Sequence, residues 1–466
     1  MIEKKKREHM SNRPAAERKK DFKEVPLGFT SEQAISEAKR CIQCKKPLCV
    51  QGCPVEVDIP GFIKLVAQGD FDAAAKKIKE TNALPAVCGR VCPQEEQCER
   101  KCILGIKGES VAIGALERFV ADWERENMPP LNLPLKGEMS RRDSGGRIAI
   151  VGSGPAGLTC AGDLARLGYQ VTIFESLHVT GGVLTYGIPE FRLPKEIVNL
   201  EVEYIKSLGV EVKTDMLIGN VFTIEELLKE YKAVFVGSGA GLPKFMDIPG
   251  ESHDGVYSAN EYLFRINMMK GWQFPEYLTP AKIGKKVAVV GGGNVAMDAA
   301  RVSLRLGAEE VYLIYRRTEK EMPARVEEVE RAHEEGGNFL KTLTNPVAYH
   351  ANKDGWVEAA ECLQMELGEP DDSGRRRPVP VPNSNFRIPI DTLVVAIGNS
   401  PNPLIAARTP NLKTEKWGGV IATEQGLTSI PSVYAGGDIV RGAATVISAM
   451  VDGKVAAKAI HQQLSA

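Results

Sequence analysis

Arg147-Ile148-Ala149-Ile150-Val151-Gly152-Ser153-Gly154-Pro155-Ala156-Gly157 runs an aliphatic segment straight into a G-x-G-x-x-G turn. A helical pattern follows through Leu167, and a second aliphatic run, Val171-Thr172-Ile173-Phe174, ends at Glu175. Strand, glycine turn, helix and strand in that order predict a parallel βαβ unit. The first glycine allows the bend, the second lets backbone approach a pyrophosphate, and the third lets helix and strand pack. The helix N-terminus adds partial positive charge. Ser153, Pro155 and Ala156 complete the turn, and Glu175, about 20 residues on, is placed to accept a ribose hydroxyl. A dinucleotide site is expected here.

The same unit recurs once. Val287-Ala288-Val289-Val290 enters Gly291-Gly292-Gly293-Asn294-Val295-Ala296, with alanine at the third glycine position, as the variant motif allows. Its second strand, Val311-Tyr312-Leu313-Ile314-Tyr315, ends at Arg316-Arg317 rather than at an acid. A guanidinium can grip the 2′-phosphate of NADP where a carboxylate would oppose it, so Gly292, Gly293, Asn294, Val295, Arg316 and Arg317 are expected to hold NADP(H). A solvated strand end is the alternative reading of the arginine pair. Further on, Thr392-Leu393-Val394-Val395-Ala396-Ile397-Gly398 and Val433-Tyr434-Ala435-Gly436-Gly437-Asp438 precede Gly442 and a helix from about Thr445. Asp438 can accept from a ribityl hydroxyl, and Ala444, Thr445 and Val446 can present a helix start to a flavin ring. The economical reading is an FAD unit interrupted by an inserted NADP domain.

Composition agrees. The chain has 466 residues, 43% hydrophobic and 26% charged, with 59 Lys+Arg against 60 Asp+Glu for a net charge of -1. About three domains are expected, and bulk-charge nucleic-acid binding and wholesale disorder lose support. The 45 glycines suit many tight turns. No apolar run reaches the ~18 residues of a membrane span, and Met1-Ile2-Glu3-Lys4-Lys5-Lys6-Arg7 lacks an apolar signal region. A cytoplasmic protein is expected. Residues 1–20 read as a solvated arm.

Eight of the ten cysteines fall between Cys41 and Cys102. Structural disulfides are disfavoured in a reducing compartment, which leaves metal ligation. Cys41-x2-Cys44-x4-Cys49-x3-Cys53-Pro54 has iron–sulfur spacing in which the cysteine before proline serves a different cluster. Cys88, Cys92, Cys98 and Cys102 form a second group. Two 4Fe–4S clusters fit eight soft thiolates; zinc, the alternative, usually shows paired short-spaced knuckles. Cys160 and Cys362 read as packed core thiols.

The order of these parts, with Gly181-Gly182-Val183-Leu184-Thr185-Tyr186-Gly187-Ile188-Pro189-Glu190-Phe191-Arg192-Leu193-Pro194 and Tyr315-Arg316-Arg317…Glu321-Met322-Pro323-Ala324, resembles the glutamate synthase small-chain family, whose module dihydropyrimidine dehydrogenase shares. The resemblance covers nearly the whole chain and is nearest to the large subunits of electron-bifurcating ferredoxin:NADP oxidoreductases. It implies one cluster on Cys41, Cys44, Cys49 and Cys102, and another on Cys53, Cys92, Cys98 and Glu117, with Cys88 a bystander. It also implies flavin contacts at Gly182, Leu184, Tyr186, Ile188, Arg192 and Ile218, and further cofactor contacts at Ala396, Ile397, Gly398 and Gly437.

The expected fold is therefore α/β: a helical iron–sulfur domain (1–127), a linker (128–146), an FAD domain in two parts (147–280 and 391–466) and an NADP domain (281–390). The expected activity is hydride exchange between NADP(H) and FAD, with single electrons leaving through the Glu117-ligated cluster and then the all-cysteine one. No side-chain acid or base is required, because the cofactors carry the chemistry. Ferredoxin and a ferredoxin-reductase-like flavoprotein small subunit binding NAD are the expected partners, with no nucleic acid or membrane. The alternative is the small subunit of an NADPH-dependent glutamate synthase, feeding a separate synthase chain. Thioredoxin reductase is disfavoured, since the flavin domains have no C-x-x-C.

Overall fold

The computed structural model describes residues 6–127, 146–336, 340–371 and 374–465. The linker, apart from Gly146, lies outside the described residues. The cysteine-rich segment folds as helices, and its sequence punctuates them. Thr30 and Gln33 form a capping box before Ser31–Ala38, while Asp58 and Asp70 cap Ile59–Gln68 and Phe71–Lys79. Pro85–Val91 and Ile113–Asn127 complete the set, and Phe62, Ile63, Ile78, Leu84, Val87 and Leu116 are the buried side chains between them.

Two five-stranded parallel sheets follow. The first runs Val433–Ala435, Ala233–Val236, Arg147–Val151, Gln170–Phe174, Glu211–Lys213, so its edge strand comes from far along the chain. The second runs Val256–Ser258, Thr392–Val395, Lys286–Val290, Glu310–Ile314, Leu340–Lys341. Their central strands are buried along most of their length, as parallel strands covered on both faces must be. Thr344–Ala351, Val357–Pro370, Arg376–Pro380 and Phe386–Pro389 form an antiparallel sheet between the last two strands of the second unit. Leu242–Pro243 pairs with Asn399–Ser400 where the chain passes between the units.

Two expectations change. Thr392–Val395, assigned to the returning FAD half, is a central strand of the second sheet, between Val256–Ser258 and Lys286–Val290. An apolar run buried on both faces looks the same in either sheet; only its pairing separates them. The arm, most of whose described residues are exposed or half-buried, is also tied down at one point. Arg18 is 1% exposed, with its guanidinium donating to Glu335 at 2.7 Å and Glu334 at 2.5 Å. Phe22 stacks on Trp272 with ring centroids 4.7 Å apart, and Val25 N–H donates to Phe191 carbonyl.

Candidate functional site

At the first turn the helix Pro155–Arg166 begins after Gly154. A Cβ on Gly157 would lie 2.0 Å from the Gly152 carbonyl oxygen, so that glycine is required by helix–strand packing. A Cβ on Gly154 would meet nothing within 4 Å. Open backbone at the second glycine is the cradle a pyrophosphate needs. Gly181 and Gly182 cross above it: Gly181 N–H donates to Ser153 Oγ at 3.0 Å, and a Cβ on Gly182 would come 3.0 Å from Gly154 Cα. Glu175 is 4% exposed and accepts from Ser153 N and Oγ, Ser176 Oγ and Leu177 N. The carboxylate thus braces the turn.

Across the sheet, a Cβ on Gly437 would lie 3.1 Å from Ala156 Cβ, and Gly437 N–H donates to Asp452 at 2.7 Å. Burial raises Asp438 to about 6, against the N–H of Ala444, which favours its charge. Thr445 Oγ1 accepts from Ser448 N at the start of Val446–Ser465. Tyr186 is pushed up to about 12 by burial, with Asp438 and Glu175 adding to the rise. Leu184 and Ile218 are core side chains, at 0% and 2% exposed, and Ile188 is half-buried against that core. Arg192 departs from the expected flavin contact: its buried guanidinium pairs with Asp298 at 2.7 Å and Glu328 at 3.3 Å on the second unit's helices.

In the second turn, a Cβ on Gly292 would strike the Tyr315 ring, whereas Gly293 has only Pro323 Cγ at 4.0 Å. Val295 is 46% exposed, and Asn294 Oδ1 accepts from Arg325 N–H at 3.0 Å. Ala396 N–H donates to Val290 O, which puts Ala396, Ile397 and Gly398 at the carboxyl end of the second sheet, beside this turn rather than in the FAD unit. The arginine pair splits. Arg317 is 6% exposed, donating to the Arg376 carbonyl at 2.7 Å and to Asp371 at 2.6 Å. Arg316 is exposed, with no hydrogen bond or ion pair among the described residues. Of the two, Arg316 is the one left free for a phosphate.

Cysteines from the two sequence groups come together. Cys41, Cys44, Cys49 and Cys102 line one cavity of about 80 Å³. Burial raises Cys49 to about 11, with Cys102 and Cys41 adding to the shift. Burial raises Cys53 to about 12, with Glu117 next in effect, and Glu117 and Cys53 also act on Cys92 and Cys98. The four that the resemblance assigns to the second cluster, the inner set, are thus neighbours, and Cys88 is a neighbour too, its thiol hydrogen-bonded with that of Cys92. Among the described residues no three thiol, imidazole or carboxylate groups converge closely enough for one metal ion. Thiols that ring a space rather than a point suit a multi-atom cluster better than a lone zinc. Cys88 is buried beside the inner set, its Sγ 3.5 Å from Met450 Sδ on Val446–Ser465. Cys160 and Cys362 are buried core thiols.

Residues 18–129 match the family model for dihydropyrimidine dehydrogenase domain II, 4Fe-4S cluster, and residues 146–453 that for pyridine nucleotide-disulphide oxidoreductases. The Escherichia coli (strain K12) glutamate synthase [NADPH] small chain is 37% identical over 460 residues, covering 97% of this chain and 96% of that one. The chain belongs to the glutamate synthase small-chain family. The NADP(+)-dependent formate dehydrogenase subunit beta of Moorella thermoacetica is 41% identical over 435 residues, covering 89% of this chain but only 60% of that longer one. The structure of Mycobacterium tuberculosis FprA in complex with NADPH shares the fold of the nucleotide-binding part. Its TM-score is 0.58 at 21% identity, over 69% of this chain and 85% of that one.

As a member of this family, the chain is an NADPH-dependent iron–sulfur flavoprotein oxidoreductase using FAD, 4Fe–4S clusters and NADP(H). Among the described residues no helix is long and apolar enough to cross a membrane. Three residues that brace the expected sites carry no sequence signal. Lys195, lowered to about 8 by burial, donates to the Leu184, Ile188 and Leu193 carbonyls and so pins the loop over the FAD turn. Arg325 joins the NADP turn to the cluster domain through Glu95 at 3.0 Å and Gln94 at 3.1 Å. Asn82 donates to Glu117 Oε1 at 2.7 Å.

Proposed function

We propose that this chain is the NADPH-oxidising, ferredoxin-directed subunit of a cytoplasmic electron-bifurcating complex whose second flavoprotein binds NAD. The supporting observation is a gradient of burial. Cys92 and Cys98 are buried, and Cys88 beside them touches the helix Val446–Ser465, whereas Cys53 and the four thiols of the outer set are half-buried. Around the outer set stand exposed Ile42, Leu48, Ile103 and Ile106, with exposed Lys45, Lys46, Lys101 and Lys107. An apolar patch with a basic rim suits an acidic electron-carrier protein. When bound, FAD exchanges a hydride with the nicotinamide and the clusters carry single electrons.

The residues supply placement. Gly154 leaves room for the FAD pyrophosphate, Glu175 and Asp438 accept from its sugar and ribityl hydroxyls, and Tyr186 and Ile188 border the ring. Gly293 and Asn294 receive the NADP pyrophosphate, and Arg316 takes the 2′-phosphate. Cys53, Cys92, Cys98 and Glu117 hold the inner cluster, and Cys41, Cys44, Cys49 and Cys102 the outer one.

A second reading is favoured by the match along 96% of a glutamate synthase small chain. In it the outer face meets a large synthase chain. The discriminating experiment isolates the chain with its native companion. Alone, it oxidises NADPH with artificial acceptors but does not reduce ferredoxin from NADPH in an NAD-dependent way; a ferredoxin-reductase-like companion restores that coupling. Formation of glutamate from glutamine and 2-oxoglutarate with a large companion instead refutes bifurcation.

A further inference from the structure

Asn82 lies between the helices Phe71–Lys79 and Pro85–Val91, and none of its surface reaches solvent. Every polar atom of its amide is engaged in a directed way. Nδ2 donates to Glu117 Oε1 at 2.7 Å, while Oδ1 accepts from Leu84 N–H at 2.9 Å and from the Cys88 thiol at 3.7 Å. These acceptor contacts fix which way the amide faces, since a flipped amide would point N–H groups at the Leu84 N–H. Glu117 Oε2 is left without a hydrogen bond among the described residues.

The segment that carries Asn82 is itself held. Lys454 Nζ donates to the Thr81 carbonyl at 2.9 Å, and Met450 Sδ meets Cys88 Sγ at 3.5 Å, both from the helix Val446–Ser465. Asn82 is thus a fixed donor aimed at one oxygen of a carboxylate, with that donor's own support anchored in another part of the molecule.

We infer that Asn82 is the positioning residue for the carboxylate that completes the inner thiol set, holding Glu117 Oε1 so that Oε2 alone is presented to iron. This rests on the reading of Glu117 as a ligand. A carboxylate oxygen is a hard donor to a soft cluster, and on a side chain with three rotatable bonds it needs an outer-shell partner to stay oriented, as metal-ligating side chains generally do. A cysteine in the same place would need no such partner, because thiolate sulfur is the ligand iron–sulfur clusters prefer.

The test uses the full chain, purified anaerobically with clusters loaded, and reads iron content and the EPR spectrum of the oxidised protein. Intact 4Fe–4S cubes are silent there, whereas loss of one iron leaves a signal. Asn82→Leu is expected to lose about one iron per chain from the inner cluster and to gain that signal; Asn82→Asp, of nearly the same size but lacking the donor, is expected to do the same. In an E117C background, neither change should alter the spectrum. Equal disturbance with Glu117 and in the E117C background would make Asn82 a packing residue and overturn the inference. So would unchanged spectra for both Asn82 variants while Glu117→Ala is disturbed. An undisturbed Glu117→Ala would instead overturn the ligand reading, and this inference with it.

Discussion

Arg316 and Arg317 are adjacent in sequence and opposite in surroundings. With Arg316 exposed and Arg317 buried against Asp371, the two should separate cleanly in a binding assay. Arg316→Ala is expected to weaken NADPH binding by roughly 1.5–3 kcal/mol, the worth of a charge-assisted contact, and to leave NADH unchanged. Arg317→Ala should lower the melting temperature and affect both nucleotides alike; calorimetric titration with each decides the point. Glu201 gives a pH-dependent case. Burial raises it to about 7 from an ordinary 4.5, with Lys79 and the Ala86 N–H opposing the rise. The folded form therefore binds this proton more tightly than the unfolded one, and stability falls as pH rises from 4.5 to about 7. Glu201→Gln should remove roughly 3 kcal/mol of that fall, seen as a smaller drop in melting temperature between pH 5 and pH 8 in denaturation scans (scan limits chosen at roughly the ends of the titration). Residue types were legible from spacing; partners were not. Arg317 meets a carboxylate 54 positions away and Arg18 one 317 positions away, and no local pattern encodes such a pairing.

At the scale of elements, the two glycines of the first turn ask for different experiments. Gly157→Ala places a methyl 2.0 Å from the Gly152 carbonyl, so the helix must move off the strand. A cost of about 1–3 kcal/mol or more is expected, together with loss of flavin. Gly154 has ordinary backbone angles, φ -71 and ψ -179, and open space around it. Gly154→Ala should leave the flavin-free protein within about 0.5 kcal/mol of the parent while reducing its FAD affinity. Melting curves of the flavin-free proteins, set beside flavin content after reconstitution, test the contrast. The turn was readable because strand, glycines, helix and acid occur in a continuous stretch. The strand Thr392–Val395 was readable as a strand but not as a neighbour, since a buried aliphatic run is compatible with any central position.

Across the whole molecule, ion pairs of buried arginines tie the second nucleotide unit to its surroundings at three places. Arg18 reaches Glu335 from the arm, Arg192 reaches Asp298 and Glu328 from the loop over the FAD turn, and Arg325 reaches Glu95 in the cluster domain. Glu335 also receives Arg301 and Arg305, which hold its carboxyl down to about 2 despite burial. Removing one member of such a set leaves the others buried without their counterpart. Arg18→Ala is expected to cost roughly 3 kcal/mol and to expose the helix Val326–Gly336 to limited proteolysis. Unchanged protease resistance would show that the arm is dispensable. The arm's run of basic residues looked solvated because most such runs are, and only the fold reveals a carboxylate-rich seat for one of them.

The first sheet takes its edge strand, Val433–Ala435, and its covering helix, Val446–Ser465, from far beyond the turn they complete. A Cβ on Gly453 would lie 2.2 Å from the Ala156 carbonyl, so that helix sits directly on the FAD turn. During synthesis the cysteine-rich helices can gather by Asn127, and the second nucleotide unit can close once Thr392–Val395 has emerged. The flavin cradle, though first in the sequence, is last to be finished. A chain cut short before Gly453 would therefore lack the helix that closes this turn, however well roughly its first 440 residues had folded.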